Sequence, residues 1–317
     1  MQAQPDVIQV ARKLTDSSLK NRFDTFNRVD YQEKLNADRL QFPEEFLSLY
    51  HHPIYKDLSD EQKWKLSLGE TANFFSSNIF GEQHLISHME SKIYRNKFVG
   101  EDPISSEYAQ HFIHEENSHT FMLAGYCVRY YGQVLPNRTI AMAEPKLSPY
   151  GEDCLFFART FVLEMFLGYM NRIARDRDDI DTTVRQIHYF HLLDEVRHIA
   201  WDRAMVEGNL WELKERGLGH EIPIIKELVK TYSKVSFNGL YNPRIYKEIG
   251  LENPSLLCRE AAEIPARKKI VAEWSKGFEL YLYKIGFYNA SDLSENSTIL
   301  QKKVTTNLGA HPKECAF

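Results

Sequence analysis

Apolar residues recur every three or four positions over long stretches of the chain, which is the periodicity of α-helices. Four such stretches predict long helices, over about 60–98, 105–131, 152–175 and 182–208. Ser59 or Asp60 can cap the first of these helices, and Gly132 is expected to end the second. The third helix, CLFFARTFVLEMFLGYMNRIA, is apolar almost all round, so we expect it to lie at the centre of a bundle.

The rest of the chain is organised around these four helices. Residues 1–57 mix short helical patterns with prolines and predict a wrap around the bundle, with no candidate chemistry of its own. Residues 132–150 contain three prolines and predict a long connection between the second and third helices. Further helices are expected over about 217–288, with an interruption at Pro265. The patterns predict one all-α domain whose bundle core spans about 60–208.

Composition and charge exclude several classes of partner. The chain has 39 basic and 44 acidic side chains, a net charge of −5 and a pI near 6.2, so it lacks the excess of cations that binds nucleic acid or anionic lipid. It has no apolar run of about 18 residues and no apolar signal-peptide centre at its start. We therefore expect a cytoplasmic protein that does not bind membranes or nucleic acid.

Two Glu-x-x-His motifs lie on predicted helices. They are Glu116 with His119, and Glu195 with His198, and residues three apart project from the same helix face. About one such motif is expected by chance in a chain of this length, so the motifs do not define a site by themselves. Their spacing to other carboxylates is what makes them informative.

Two single glutamates occupy apolar surroundings on the other two helices. Glu164 lies in FVLEMFLGYM, where an ionised carboxylate requires a counter-charge. A bound metal, an arginine such as Arg159, and protonation of the carboxylate are the alternatives. Glu82 lies in the middle of the first helix, 34 residues before Glu116, a separation that suits two antiparallel helices.

The four helices together carry the ligand set of a ferritin-like di-metal bundle, with single glutamates on two helices and Glu-x-x-His on the other two. The long connection predicted over 132–150 falls where the ferritin-like topology needs its crossover. Four carboxylates and two imidazoles suit a pair of iron ions better than zinc, with manganese as the alternative.

A third histidine extends the candidate site. His191 precedes Glu195 by four residues and His198 by seven, so the three side chains share a narrow stripe of one helix. This spacing predicts an additional histidine ligand. Asp194, Arg197 and Glu115 are expected to orient the ligands from outside the metal shell.

The pattern Glu82, Glu116-x-x-His119, Glu164, His191-x-x-x-Glu195-x-x-His198 resembles the para-aminobenzoate N-oxygenase (AurF-like) family of di-iron enzymes. The additional histidine distinguishes that family from ferritins, desaturases, ribonucleotide reductase small subunits and bacterial hydroxylases, which share the other ligands. The resemblance spans about residues 60–208 and rests on seven positions. Outside these positions it carries over no substrate-binding residue.

The resemblance implies O2-dependent oxidation of an amine nitrogen toward a hydroxylamine, nitroso or nitro product, through a bridging peroxo species on two iron ions. It also implies a homodimer. The substrate can be an arylamine or the amino group of a small or carrier-tethered compound, and the sequence does not choose among them. Because the chain has no flavin-binding or nucleotide-binding motif, we expect an external reductase to supply electrons.

Two other functions compete with N-oxygenation. A di-iron hydroxylase or desaturase that acts on carbon would share nearly every ligand, and only His191 argues against it. Ferritin-type iron storage usually needs only a short bundle, whereas this chain continues for more than a hundred residues after His198. A purely structural role would leave Glu164 without its cation. We rank carbon oxidation second and storage third.

Overall fold

The computed structural model describes residues 6–22, 25–93, 103–136, 145–294 and 297–298. Within these ranges the regular structure is helical, and one isolated bridge joins Leu40 to Ile180. The all-α prediction is confirmed. The helices are α1 (Val7–Lys20), α2 (Asp60–Ile93), α3 (Pro103–Tyr126), α4 (Pro149–Ala174), α5 (Thr182–Glu215), α6 (Ile222–Asn238), α7 (Pro243–Glu248), α8 (Pro254–Glu263) and α9 (Pro265–Lys284).

Four long helices form the predicted ferritin-like bundle. Helix α2 pairs with α3 and α4 pairs with α5, while α3 also meets α5 and α2 also meets α4. The links inside each pair are short, which makes paired helices antiparallel, and the longer crossover joins α3 to α4. The predicted end of the first helix near residue 98 and residues 137–144 of the crossover lie outside the described residues.

Local sequence explains where the bundle helices begin and end. The side chain of Ser148 caps α4 by accepting from Gly151 N at 3.1 Å, and that of Asp181 caps α5 by accepting from Thr183 N at 2.8 Å. Helix α3 continues into a π-helical turn that ends at Gly132, whose φ of 93° suits glycine. The predicted end of α5 near 208 was wrong, because buried Leu210 and Leu213 extend the helix to Glu215.

Additional helices cover both sides of the bundle. Helices α6 and α9 pack on α4, where the Trp274 ring stacks on Phe166 at a centroid distance of 4.4 Å. Helices α8 and α9 are separated at Ile264, which is extended because it precedes Pro265, so the predicted interruption is confirmed. None of the described helices combines the length and apolar character needed to cross a membrane.

The N-terminal residues pack on several helices of the bundle. Helix α1 packs on α3 and α5, and residues 25–41, here called the N-terminal strap, contact α3 and α5 and, at Gln41, α2. The strap is fixed to α5 where the Asp30 amide donates to Gln186 Oε1 at 2.9 Å, and to α3 where the Tyr31 hydroxyl donates to the Met122 carbonyl at 2.6 Å.

Candidate metal centre

Two overlapping groups of buried side chains lie at the middle of the bundle. One consists of Glu116, His119, Glu195 and His198, and in it one ligand atom from each residue lies within 4.8 Å of all the others. The second group joins Glu82, His119 and His191 within the same limit. His119 belongs to both groups. Helices α2, α3 and α5 therefore bring together six of the seven sequence-predicted ligands.

Glu195 lies between the three imidazoles. Its Oε1 atom is 2.7 Å from His191 Nε2, 3.4 Å from His119 Nδ1 and 3.6 Å from His198 Nδ1. Glu116 lies against two of the same rings, with Oε1 2.7 Å from His198 Nδ1 and Oε2 3.4 Å from His119 Nδ1. Glu82 Oε1 is 3.6 Å from His191 Nε2. The ligand atoms thus converge on a small common volume.

These close contacts do not have hydrogen-bond geometry. Within the described part of the chain, the facing atoms of the cluster lack hydrogen-bond partners although every residue is fully buried or nearly so. Buried polar atoms are normally paired, so such a concentration of unpaired atoms fits a site that binds a cation. Carboxylates mixed with imidazoles suit iron or manganese. The unpaired atoms are both carboxylate oxygens of Glu82, Glu116 and Glu195, both ring nitrogens of His191, and Nδ1 of His119 and His198.

Glu164 is placed differently from the other predicted ligands. It lies on α4, is 1% exposed, and its Oε2 has no hydrogen-bond partner among the residues that the structure describes. It lies outside both groups of converging ligand atoms. Its role as a ligand therefore stays a prediction.

Outer carboxylates hold the far sides of two imidazoles. His119 Nε2 is 3.1 Å from Asp194 Oδ2, and His198 Nε2 is 2.9 Å from Glu115 Oε2. Since Nδ1 of each ring faces the cluster, Nε2–H is the natural donor to the carboxylate. Arg197 Nη2 donates to both acids, at 2.5 Å to Asp194 and 2.8 Å to Glu115. The structure thus brings the predicted outer residues onto the predicted ligands.

Two further residues next to this centre are not among the sequence-predicted site residues. Arg28 of the strap donates to Asp194 Oδ2 at 2.7 Å. The two residues are 166 positions apart in the sequence, so a local sequence pattern cannot predict this contact. Asp202 is fully buried, and neither of its oxygens has a hydrogen-bond partner within the described ranges. A pattern did exist for Asp202, because it follows His198 by four residues and continues the ligand stripe of α5.

Burial and mutual charge shift the acidities of the cluster. Burial raises the pKa of Glu82 well above its ordinary value, and repulsion from Glu116 adds to the effect. Burial opposes ionisation of Glu116 too, but the neighbouring His198 and His119 lower its pKa to about 2. Although burial disfavours imidazolium, contacts with acids raise the pKa of His119 to about 10. Because these side chains bind metal in their deprotonated forms, metal binding to the cluster is expected to release protons.

Aromatic side chains enclose the cluster unevenly. Phe112 stacks on His198, with ring centroids 3.8 Å apart and planes inclined by 19°. Phe161 instead packs on Tyr281 of α9 at 5.0 Å. Of these two aromatic residues, Phe112 touches a candidate ligand, whereas Phe161 contributes to packing between α4 and α9.

Comparison with known proteins places this geometry in a family. Residues 4–286 match the family model described as p-aminobenzoate N-oxygenase AurF. The chain belongs to the AurF family. The match includes all the predicted site residues, together with Arg28, Asp202 and the outer helices through α9. As an AurF-family protein it is an enzyme of the oxygenase class, and it carries a buried carboxylate and histidine cluster able to bind metal.

Solved structures of R2-like ligand-binding oxidase are similar to this AurF-family chain. One with an aerobically reconstituted Mn/Fe cofactor is 14% identical and covers 91% of this chain and 93% of that chain, with a TM-score of 0.47. An anaerobically reconstituted mutant is 13% identical, with coverages of 91% and 94% and a TM-score of 0.49. Both scores are below 0.5, so the family match carries the assignment. No curated protein matches the chain significantly.

Proposed function

We propose that this protein is an O2-dependent N-oxygenase that uses two iron ions to oxidise an amine toward a hydroxylamine, nitroso or nitro product. The observation that carries the proposal is the position of His191, whose Nε2 lies 2.7 Å from Glu195 Oε1 inside the buried cluster. This histidine is the residue that separates N-oxygenases of the AurF type from carbon-oxidising relatives with otherwise similar ligands.

The charges of the cluster and of the predicted ligand Glu164 support two divalent ions. Glu82, Glu116 and Glu195 in the cluster, together with Glu164, would carry four negative charges when all are ionised, which two divalent cations would balance. We assign the metal to the cluster formed by the two converging groups, and keep manganese as the alternative metal. Bound iron supplies the activation of O2. The protein residues fix the ions and keep the neighbouring volume dry.

The first oxidation consumes electrons and protons that the amine does not provide. An amine R–NH2, O2, two electrons and two protons give R–NHOH and H2O. We assign the electrons to an external reductase. We assign one proton to the Asp202 carboxyl, which lies one helical turn beyond His198 and which burial keeps protonated by raising its pKa well above the ordinary value.

The substrate is an amine small enough to reach a cluster enclosed by the bundle. An arylamine, a small amino compound and a carrier-tethered amino group all satisfy this requirement. The proposal also includes a homodimer in the cytoplasm, as in the family that the sequence resembles.

Single-turnover oxidation tests the proposal. The purified protein is loaded with Fe(II) without air, then mixed with ¹⁸O2 and either p-aminobenzoate, an aliphatic amine or a fatty acid. Mass spectrometry should detect ¹⁸O on nitrogen for at least one amine. Glu195→Ala should abolish this product, and Glu70→Gln, a buried control on α2, should retain it. Oxygen incorporated only into carbon would overturn the proposal in favour of a hydroxylase.

His191 provides a sharper test of the reaction class. We expect His191→Ala to reduce the rate of N-oxygenation at least about tenfold. In the proposed site this histidine is a ligand of one ion, and its loss would remove the electron donation of its imidazole to that ion. Iron content is measured on the same sample. A variant that holds two irons and forms N-oxygenated product at the parent rate would contradict the assigned role of His191.

A further inference from the structure

The N-terminal strap contacts the surroundings of the candidate metal centre through Arg28. Arg28 is 9% exposed, and its guanidinium lies over the Phe190 ring of α5 at 5.3 Å. From there Nη1 donates to Asp194 Oδ2 at 2.7 Å. The Asp30 amide and the Tyr31 hydroxyl fix the neighbouring strap residues to Gln186 of α5 and Met122 of α3. Arg28 thus links the strap to the carboxylate that pairs with the candidate ligand His119.

Arg28 makes the two outer carboxylates inequivalent. Asp194 accepts from Arg28, Arg197 and the His119 ring, whereas Glu115 accepts from Arg197 and the His198 ring. Two guanidiniums on opposite oxygens leave Asp194 little freedom to rotate. The same oxygen, Oδ2, receives both Arg28 and His119, so the arginine fixes the atom that orients the imidazole.

The consequence falls on His119, whose Nε2 faces Asp194 and whose Nδ1 faces the cluster. A buried ion pair that loses one partner leaves an uncompensated charge, and the remaining group then moves or is protonated. Loss of Arg28 would release Asp194 in this way and free the His119 ring to turn. The metal position that His119 would ligate would be disturbed, although Arg28 does not contact that ligand.

We propose that Arg28 is a positioning residue of the metal centre, which acts through Asp194 on His119 and makes the N-terminal strap part of the metal-binding unit. The inference rests on the proposed function of the cluster as a metal site. It extends that function because it assigns metal affinity to a segment outside the four-helix bundle. Loss of an outer partner of this kind typically weakens metal binding about 10–100-fold.

Cobalt binding measures this effect without turnover. Co(II) is titrated without oxygen into the full-length protein against a competing chelator, and the visible absorption of the bound ion is recorded. Arg28→Met should weaken Co(II) binding about 10–100-fold and alter the spectrum. Arg28→Lys should recover part of the affinity, because lysine restores the positive charge but not the planar guanidinium with its several N–H donors. Tyr31→Phe, which removes a strap hydrogen bond to α3 without touching Asp194, should bind within about twofold of the parent.

A double-mutant cycle separates positioning from general loosening of the strap. If Arg28 acts through Asp194, Arg28→Met combined with Asp194→Asn should bind no more weakly than Asp194→Asn alone. Additive losses, or an Arg28→Met protein with parental affinity and spectrum, would overturn the inference while leaving the proposed function intact. A parent protein that binds no Co(II) at the cluster would overturn both. If Arg28→Met does not fold, Arg28→Gln and Arg28→Lys undergo the same cycle.

Discussion

Helix α2 carries two buried glutamates that differ in one respect. Glu70 is held by the N-terminal residues: the Ser48 amide donates to its Oε2 at 2.9 Å, the Ser48 hydroxyl contacts its Oε1, and Tyr246 joins that hydroxyl at 2.5 Å. Glu82, three turns later, has no hydrogen-bond partner on either oxygen among the described residues. Burial raises the pKa of both carboxyls above the ordinary value.

The difference shows that burial and a shifted pKa do not by themselves identify a metal ligand. The polar atoms around Glu70 already complete its hydrogen bonds, so nothing further is needed there. The neighbours of Glu82 are carboxylates and imidazoles that are equally unpaired, and only a cation completes all of them together. Glu70 is thus a structural carboxyl and Glu82 is a proposed ligand.

Metal-linked stability should separate the two glutamates most strongly. Fe(II) at about 1,000 times its dissociation constant should raise the free energy of unfolding of the parent by about 4 kcal/mol, because it binds the folded state. We expect Glu82→Gln to lose most of this gain and Glu70→Gln to retain it. Thermal unfolding without oxygen, with and without Fe(II), measures both. Equal gains in unfolding free energy in the two variants would contradict the assignment of Glu82 as a metal ligand and Glu70 as a structural carboxyl.

The pH dependence of stability should report on Glu70. Its pKa is raised from 4.5 to about 7 on folding, so the folded state binds more protons between these values. The stabilisation is complete below pH 4.5 and is lost as the pH rises through 7, and it amounts to about 3 kcal/mol. Urea unfolding of the metal-free protein across this range should show the loss, and Glu70→Gln should reduce it. A variant with the parental pH profile would contradict this account.

Asp202 should show the smallest effect on stability. Because burial keeps this carboxyl neutral and its oxygens have no partner within the described residues, Asp202→Asn should change the free energy of unfolding by less than about 1 kcal/mol. We expect N-oxygenation to fall at least about tenfold in the same variant, since a proton donor is lost. Steady-state rates and urea unfolding are compared on one preparation. Parental activity would remove Asp202 from the reaction.

The bundle was predictable because its determinants are local. The periodic apolar positions predicted the four long helices. The two Glu-x-x-His motifs supplied four candidate ligands, and the spacing of His191 and Glu82 to them supplied two more, on faces that the structure brings together. Helix α7 is too short, at six residues, to produce a periodic pattern. The predicted end of α5 failed because Gly208 is buried within the helix and does not terminate it.

The site features that the sequence did not predict depend on tertiary contacts. Arg28 and Asp194 are 166 residues apart, and their pairing follows from where the strap crosses α5. The hydrogen bonds that complete Glu70 likewise come from Ser48, in a segment without a regular pattern. Sequence spacing identifies side chains on one helix face, but it does not reveal which buried acids receive partners from elsewhere in the chain.

The central claim is that the unpaired cluster binds two metal ions, and the amount of iron bound per chain tests it most directly. The protein is equilibrated with Fe(II) without oxygen, freed of weakly bound metal, and assayed for iron and protein. We predict two irons per chain in the parent and in Glu70→Gln, and strong loss in Glu116→Ala. A parent that retains no iron, or a Glu116→Ala protein that retains two, would contradict the account.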